Sequence, residues 1–416
     1  MIPGPQSGAA AGGATMATYD CDAPVRSLVA VGGSDATMFA AGTQTIRGGN
    51  AVHIVSHDRD RDVARCAAVL THPDGEIWSM DARCSDGGCG GVRDVIATAF
   101  DGVDGTSRGG GVAIWRLPPS LDPRGDPTRG DLARVGTIRS SDLSSDLSSD
   151  DPGIPRCVRW SPADPAVLAV VADSFLAIVR VDAQGAPDPK PIARGVHPGV
   201  PSPSCASFHP DEPHVVAACV AGPDVHVHDA RAGLDRPSQT IRGAHALQVR
   251  GVEYDPGAAG ARLSTCGDDG ATRTWDVRAS VTKPVTWGGD AGVRDGHAHW
   301  AWCVAHNPEY PDRLLASCGG DGAVRLWRTD GGCGGGGGKD GGGGVWNDGG
   351  SSDGGGGGRR GAQLCAAGWF RGRHADTVYQ VAWGRGDDPW TLGSVSYDGR
   401  VVLDQVPRAE KYRILL

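Results

Sequence analysis

The chain has 416 residues, 66 of them Gly, and 49 acidic against 40 basic side chains leave a formal charge of −9 at pH 7. That sign argues against a nucleic-acid backbone as the main partner, because such binding depends on Lys and Arg neutralising phosphates. No apolar run approaches the roughly 20 residues needed to span a bilayer, so direct membrane insertion is not expected.

The first residues, MIPGPQSGAAAGGATMATYD, have no basic n-region and no apolar core, so they do not read as a secretory signal. Residues 1–18 are expected to be a disordered tail, with Met16 as an alternative start, and residues 19–416 the folded part. Twelve cysteines without a C-x-x-C pair read as free thiols, which places the chain on the cytoplasmic side. Val25 to Leu70 holds short strands separated by Gly-rich turns. A second such unit starts at HPDGEIWSMDA (72–82) and resumes at VAIWRLP after a Gly-Ser loop. SSDLSSDLSSDDPG carries four acids and no base, and a disordered insertion is expected over about 139–153. The third unit, 157–182, lacks the His and Trp of the later ones. In the fourth, 206–231, His226 and His228 share one face of a strand. With His209 or His214 they offer imidazoles for a metal, but His228-Asp229 reads better as a stand-in for a Trp-Asp pair. No metal or other cofactor is assigned.

The last three units share one internal spacing. His245, His297 and His374 are each followed at plus 20 by a hydroxyl residue: Thr265, Ser317 and Ser394. At plus 24 come Asp269, Asp321 and Asp398, each followed by Gly. At plus 30 stand Trp275, Trp327 and Asp404. A period of roughly 40–45 residues with a late Trp-Asp points to WD40 blades, and seven units make an all-β, seven-bladed propeller. Folded, His bridges carboxylate and hydroxyl while the indole donates its proton, pinning the turn. A catalytic Ser-His-Asp triad is disfavoured, because catalysis needs one site and this trio occurs three times. The Gly-dominated tract over about 329–362 reads as a second disordered insertion, between blades six and seven. Its Lys339 is followed by Asp340 and Cys333 stands at the required first Gly, so it is no phosphate loop.

The turns carrying His and Asp open on one rim. Arg250, Trp302 and Tyr379 stand five residues after each His, and Trp300 three after His297. Asp268, Gly320 and Tyr397 precede the turn Asp residues. Trp, Tyr and Arg are the types enriched in binding hot spots, so Arg250, Asp268, Trp300, Trp302, Tyr379 and Tyr397 form the expected partner surface. The two-residue spacing of Trp300 and Trp302 predicts that both share one side of a strand.

Beyond the general pattern, HPDGEIW (72–78), AIWRLP (113–118), AHALQVRGVEYDP (244–256), TCGDDGATRTWDVR (265–278), HAHWAWCVAHN (297–307) and DPWTLGSVSYDGRVVLDQVPRAEKYRILL (388–416) resemble the EARP- and GARP-complex-interacting WD-repeat proteins. The chain departs from that family in its Gly/Ala tail and its glycine-rich tract. The resemblance implies a non-enzymatic adaptor, monomeric outside its complexes. Its partners would be subunits of two multisubunit tethering complexes, on endosomes and at the trans-Golgi network. Such an adaptor would be cytoplasmic and peripheral at those membranes, supporting recruitment of the complexes, endosomal recycling and retrograde traffic. Leu263 to Arg278 also resembles the WDxR box of substrate receptors for cullin-based ubiquitin ligases, through Asp269, Trp275, Asp276 and Arg278. Whether the ring closes through an N-terminal strand or through the final KYRILL stays open at the level of sequence.

Overall fold

The computed structural model describes residues 16–416 apart from 33–36, 47, 59–60, 85–93, 103–109, 120, 123, 144–152, 183, 189, 197–204, 220–221, 279–280, 289–295, 330–361, 364 and 387. Seven antiparallel sheets stand around a central channel, as the spacing predicts. Their inner strands are Val25–Val31, Glu76–Ala82, Pro155–Trp160, Cys205–Phe208, Val249–Tyr254, Ala301–His306 and Val378–Trp383. Each touches the next, and the seventh returns to the first. A four-stranded sheet buries neither face alone, so neighbouring blades bury each other's apolar faces. Leu28, Phe39, Val401 and Leu403 fill the gap between blades seven and one. The gap between blades five and six carries the smallest apolar cluster among the described residues: Cys266, Ala301, Val304, Leu315 and Trp327.

The ring closes through the N-terminal strand. Met16–Asp20 pairs antiparallel with Arg400–Gln405 and becomes the outer strand of blade seven. MATYD buries Ala17 and half-buries Tyr19, the period-two pattern of a strand with one covered face. Tyr19 fastens it to blade one, its hydroxyl 3.0 Å from Nδ1 of His53. Met16 to Thr18 are therefore strand, where composition suggests tail; residues 1–15 lie outside the described residues. KYRILL is helical instead. Pro407 supplies a preset φ just before the helix Arg408–Leu415, which Glu410 and Arg413 brace at 3.3 Å. Lys411 ties it back to Gln405 at 3.1 Å.

Two expectations about the insertions change. Of the Ser-Asp segment, Ser140–Leu143 forms a helical turn, and Leu143 is buried in the cluster between blades two and three. The rest, 144–152, lies outside the described residues. The glycine tract falls within blade six and not between blades, because the outer strand of that blade, Cys365–Phe370, follows it. Residues 330–361 also lie outside the described residues. Just after them, Ala362–Gln363 pairs parallel with Thr286–Gly288, the outer strand of blade five. Thr128–Asp131 does the same on blade one, also from the connection into an outer strand. Both connections thus staple a blade to the one before it.

Candidate functional site

The rim is set by buried hydrogen-bond networks. In blade five, His245 Nδ1 lies 2.7 Å from Asp269 Oδ1 and Nε2 lies 2.9 Å from Thr265 Oγ1. Trp275 Nε1 donates to the same hydroxyl at 3.0 Å. Blade six repeats this with His297, Asp321, Ser317 and Trp327 at 2.8–2.9 Å. Burial pushes the His245 and His297 imidazoles down. Each is therefore neutral, donating from Nδ1 to the carboxylate and accepting the hydroxyl proton at Nε2. Burial opposes ionisation of Asp269, but His245 and Arg273 hold its carboxyl well below the usual range. The carboxylate also accepts from the backbone of Ala246 and Ala271, each at 3.1 Å, so the turn is fastened on both sides. The following Gly is required: Gly270 has φ 73°, and a Cβ there would lie 2.4 Å from the His297 carbonyl oxygen.

Spacing missed a further network and two of its members elsewhere. In blade two, His72 Nε2 lies 3.0 Å from Thr98 Oγ1, to which Trp115 Nε1 donates at 2.9 Å. The hydroxyl falls at plus 26 there, because the segment containing 85–93 lengthens the connection; HPDGEIW was the available signal. Arg273 and Arg325, four residues after Asp269 and Asp321, pair with those carboxylates at 2.8 and 3.8 Å.

Above these networks the inner strands of every blade but the fourth carry a bulge. The pairing slips by one residue at Arg26, Trp78, Arg156, Arg250, Trp302 and Tyr379, in blades one, two, three, five, six and seven. A bulge leaves one residue unpaired and re-aims its side chain. Here it turns six large side chains into the mouth of a central cavity of about 320 Å³. Three of them are guanidinium groups and three are aromatic rings. The Arg26 guanidinium lies 4.5 Å from the Trp78 ring centre, 4.6 Å from Tyr379 and 5.7 Å from Trp302. The Arg156 guanidinium also lies over Trp78, 3.9 Å from its ring centre. Arg250 stacks on Trp302 at 4.6 Å and Trp300 at 4.9 Å. Tyr379 meets Trp302 edge-on at 5.2 Å, and Tyr397 meets Tyr379 at 6.3 Å.

The six rim residues read from sequence thus come together, with one change. Asp268 is not a free acid: it holds Arg250 through two bonds of 2.6 and 2.9 Å. Trp300 and Trp302 touch edge-to-face at 6.0 Å yet differ in exposure, because the bulge breaks the two-residue period. Trp300 is 40% exposed and Tyr397 49%, while Trp302 is half-buried. Arg26, Trp78 and Arg156 were not singled out by spacing; they precede no recognisable turn signal.

The family model for the WD domain, G-beta repeat, matches residues 291–328, the entry to blade six and its first three strands. EARP and GARP complex-interacting protein 1 of Rattus norvegicus is 28% identical, over 92% of this chain and 94% of that protein. Its Homo sapiens counterpart is 27% identical over the same shares. EARP-interacting protein 1 of Caenorhabditis elegans is 34% identical over 42% of this chain and 44% of that protein. Over nearly its whole length the chain is similar to the EARP- and GARP-complex-interacting WD-repeat proteins. It is a WD-repeat interaction protein.

Here the segment 388–416 builds the second and third strands of blade seven and the C-terminal helix. Blade seven keeps His374, Ser394 and Asp398 at 2.9 and 3.3 Å, but Asp404 replaces the Trp. Burial pushes the Asp404 carboxyl up to about 7, with Arg373 at 3.4 Å offsetting part of that. The neutral acid is thus favoured in the fold, so stability is retained below pH 4 and lost as pH rises through 7. Asp404→Asn is expected to remove this slope and stabilise the protein by up to about 4 kcal/mol above pH 8. Denaturant melts of both proteins at pH 5 and pH 8 measure it; a gap that does not widen with pH contradicts the assignment.

No helix among the described residues is long and apolar enough to cross a membrane. Among the same residues no three His, Cys, Asp or Glu side chains are grouped to hold a metal. His226 and His228 lie edge-to-face at 6.0 Å, while His209 caps the backbone of Asp211 and Glu212. His228 is fully buried in the register that Trp275 occupies in blade five.

Proposed function

We propose that this protein is a non-enzymatic adaptor that binds the EARP and GARP tethering complexes through the mouth of its channel. By doing so it supports their recruitment, endosomal recycling and retrograde traffic, as a cytoplasmic monomer held peripherally at endosomes and the trans-Golgi network by its partners. The names of its relatives support the choice of partner. The observation that carries the choice of surface is the cluster of Trp300, Trp302, Tyr379, Tyr397 and Arg250 on one rim. Exposed aromatics beside a stacked Arg are what a protein interface uses as anchors.

The ligase-receptor reading is weaker. Asp269 and Trp275 are spent inside the blade-five network. Arg278 is engaged locally, with its backbone N–H on Asp276 at 2.9 Å and its guanidinium on the Ala259 carbonyl.

Arg250 is a poor test residue, because removing it strands the half-buried Asp268 carboxylate. Trp300 and Tyr397 are exposed and leave nothing unpaired. The Trp300→Ala, Tyr397→Ala double variant is expected to melt like the wild type and to lose roughly tenfold or more of its affinity for the tethering complexes. Co-purification with quantitative mass spectrometry reads this out. Undiminished recovery would move the interface to another face.

A further inference from the structure

The three arginines of the mouth are not equivalent. Arg156 is held by Asp173 at 3.1 and 3.2 Å, and Arg250 by Asp268. Asp173 and Asp268 occupy the same place in their blades, the first residue after the second strand. Blade one offers no such acid: Gln44 follows its second strand, Met38–Thr43. Arg26 accordingly has no carboxylate within ion-pair distance among the described residues. Its neighbours are three aromatic faces, Trp78, Tyr379 and Trp302. Burial pushes its guanidinium down to about 10. A recessed cation that makes no direct ion pair is costly, and an anion arriving from outside would relieve that cost.

The surroundings select the anion. Of the three mouth arginines only Arg26 lacks a carboxylate partner among the described residues, and Arg159 in the same cavity already donates to the Ala206 and Met80 carbonyls, so a phosphate dianion would meet little free positive charge. Glu76 and Asp101 lie nearby with carboxyls raised by burial, and each would repel a second negative charge. The overall charge of −9 opposes an anionic membrane or a nucleic acid. A single carboxylate is planar, matches the guanidinium fork in two parallel bonds, and tolerates aromatic walls. The exposed Trp300 and Tyr397 extend the same aromatic wall outward to the rim.

We infer that the channel mouth is a receptor for an Asp or Glu side chain presented by a partner's peptide segment, with Arg26 as the anchoring residue and the aromatic ring as its walls. This inference rests on the adaptor reading for which protein brings that segment.

The test selects binders from a library of random 12-residue peptides with blocked ends, using the full chain as bait. Selected peptides, their Glu→Gln or Asp→Asn isosteres, and free-ended versions are then titrated by fluorescence polarisation. The proteins are the wild type, Arg26→Met and Arg26→Lys, each first checked by its melting curve. Enriched peptides are expected to carry an acid. Replacing that acid by its amide, or Arg26 by Met, is expected to weaken binding about thirtyfold, and doing both no further. Arg26→Lys keeps the charge but not the fork, and is expected to lose roughly tenfold. Enrichment without acids, undiminished binding by a folded Arg26→Met, or binding only by a free C-terminal carboxylate overturns the inference. A tethering complex that co-purifies equally with wild type and Arg26→Met keeps the adaptor reading and removes this site. Arg26-dependent peptide binding with no complex on the wild type keeps the site and removes the adaptor reading.

Discussion

Removing residues 1–20 is expected to lower the unfolding free energy by about 3–5 kcal/mol, while removing 1–15 leaves it unchanged. The five residues from Met16 to Asp20 complete blade seven by pairing with Asp404 to Arg400. Their loss frees the edge of Arg400–Gln405 and uncovers the apolar cluster to which Ala17 and Cys21 belong. It also removes the Tyr19 to His53 bond, a direct tie between blades seven and one. Backbone bonds contribute about 1 kcal/mol each and the buried apolar area adds to them. An exposed strand edge of this kind also templates association, so the shorter chain should elute as larger species at raised concentration. Urea titrations of the two truncations decide the matter: matching midpoints would mean that the ring is held without the latch.

Trp327→Ala is expected to cost about 3–5 kcal/mol, the range for a large aromatic removed from a core. The indole is fully buried and is the largest member of the small cluster between blades five and six. Its ring packs on Gly288 of blade five so closely that a Cβ there would lie 2.8 Å away. Its N–H also donates to Ser317, which His297 shares. Trp327→Phe keeps most of the volume but not the donor, and about 1–2 kcal/mol is expected. If Trp327→Ala lies within 1 kcal/mol of the wild type, the polar contacts from Glu253 to the His306 backbone and from His306 to Ser264 carry this interface instead.

What could be read in advance follows from what leaves a fixed spacing. The networks of blades five to seven were legible because His, hydroxyl and Asp recur at plus 20 and plus 24 with constant connections. Blade two uses the same chemistry at His72 and Thr98, but a lengthened connection hid it from counting. The latch was not legible: MATYD is short, and what marks it as a strand is its partner almost 400 positions away. The glycine tract was assigned between blades because its composition names no strand, and only the pairing of Cys365–Phe370 with Val324–Arg328 assigns it to blade six. At the mouth, Arg250, Trp302 and Tyr379 followed from their distance to His. Arg26 and Trp78 did not, since a bulge is a property of two strands in register and leaves no mark on one of them.

That assignment of the glycine tract has a mechanical consequence. In blade five, 277–285 join the third strand to the outer one, whereas 329–364 do so in blade six. The connection is four times as long, and by chain length alone each doubling adds about 0.6 kcal/mol of closure entropy. The outer strand of blade six is therefore held against a closure cost about 1.2 kcal/mol higher than that of its neighbour. Connections into outer strands also leave from the rim opposite the one bearing the His and Asp turns. A bulky fusion carried by that connection would therefore stand on the rim opposite the guanidinium and aromatic mouth and leave its shape untouched.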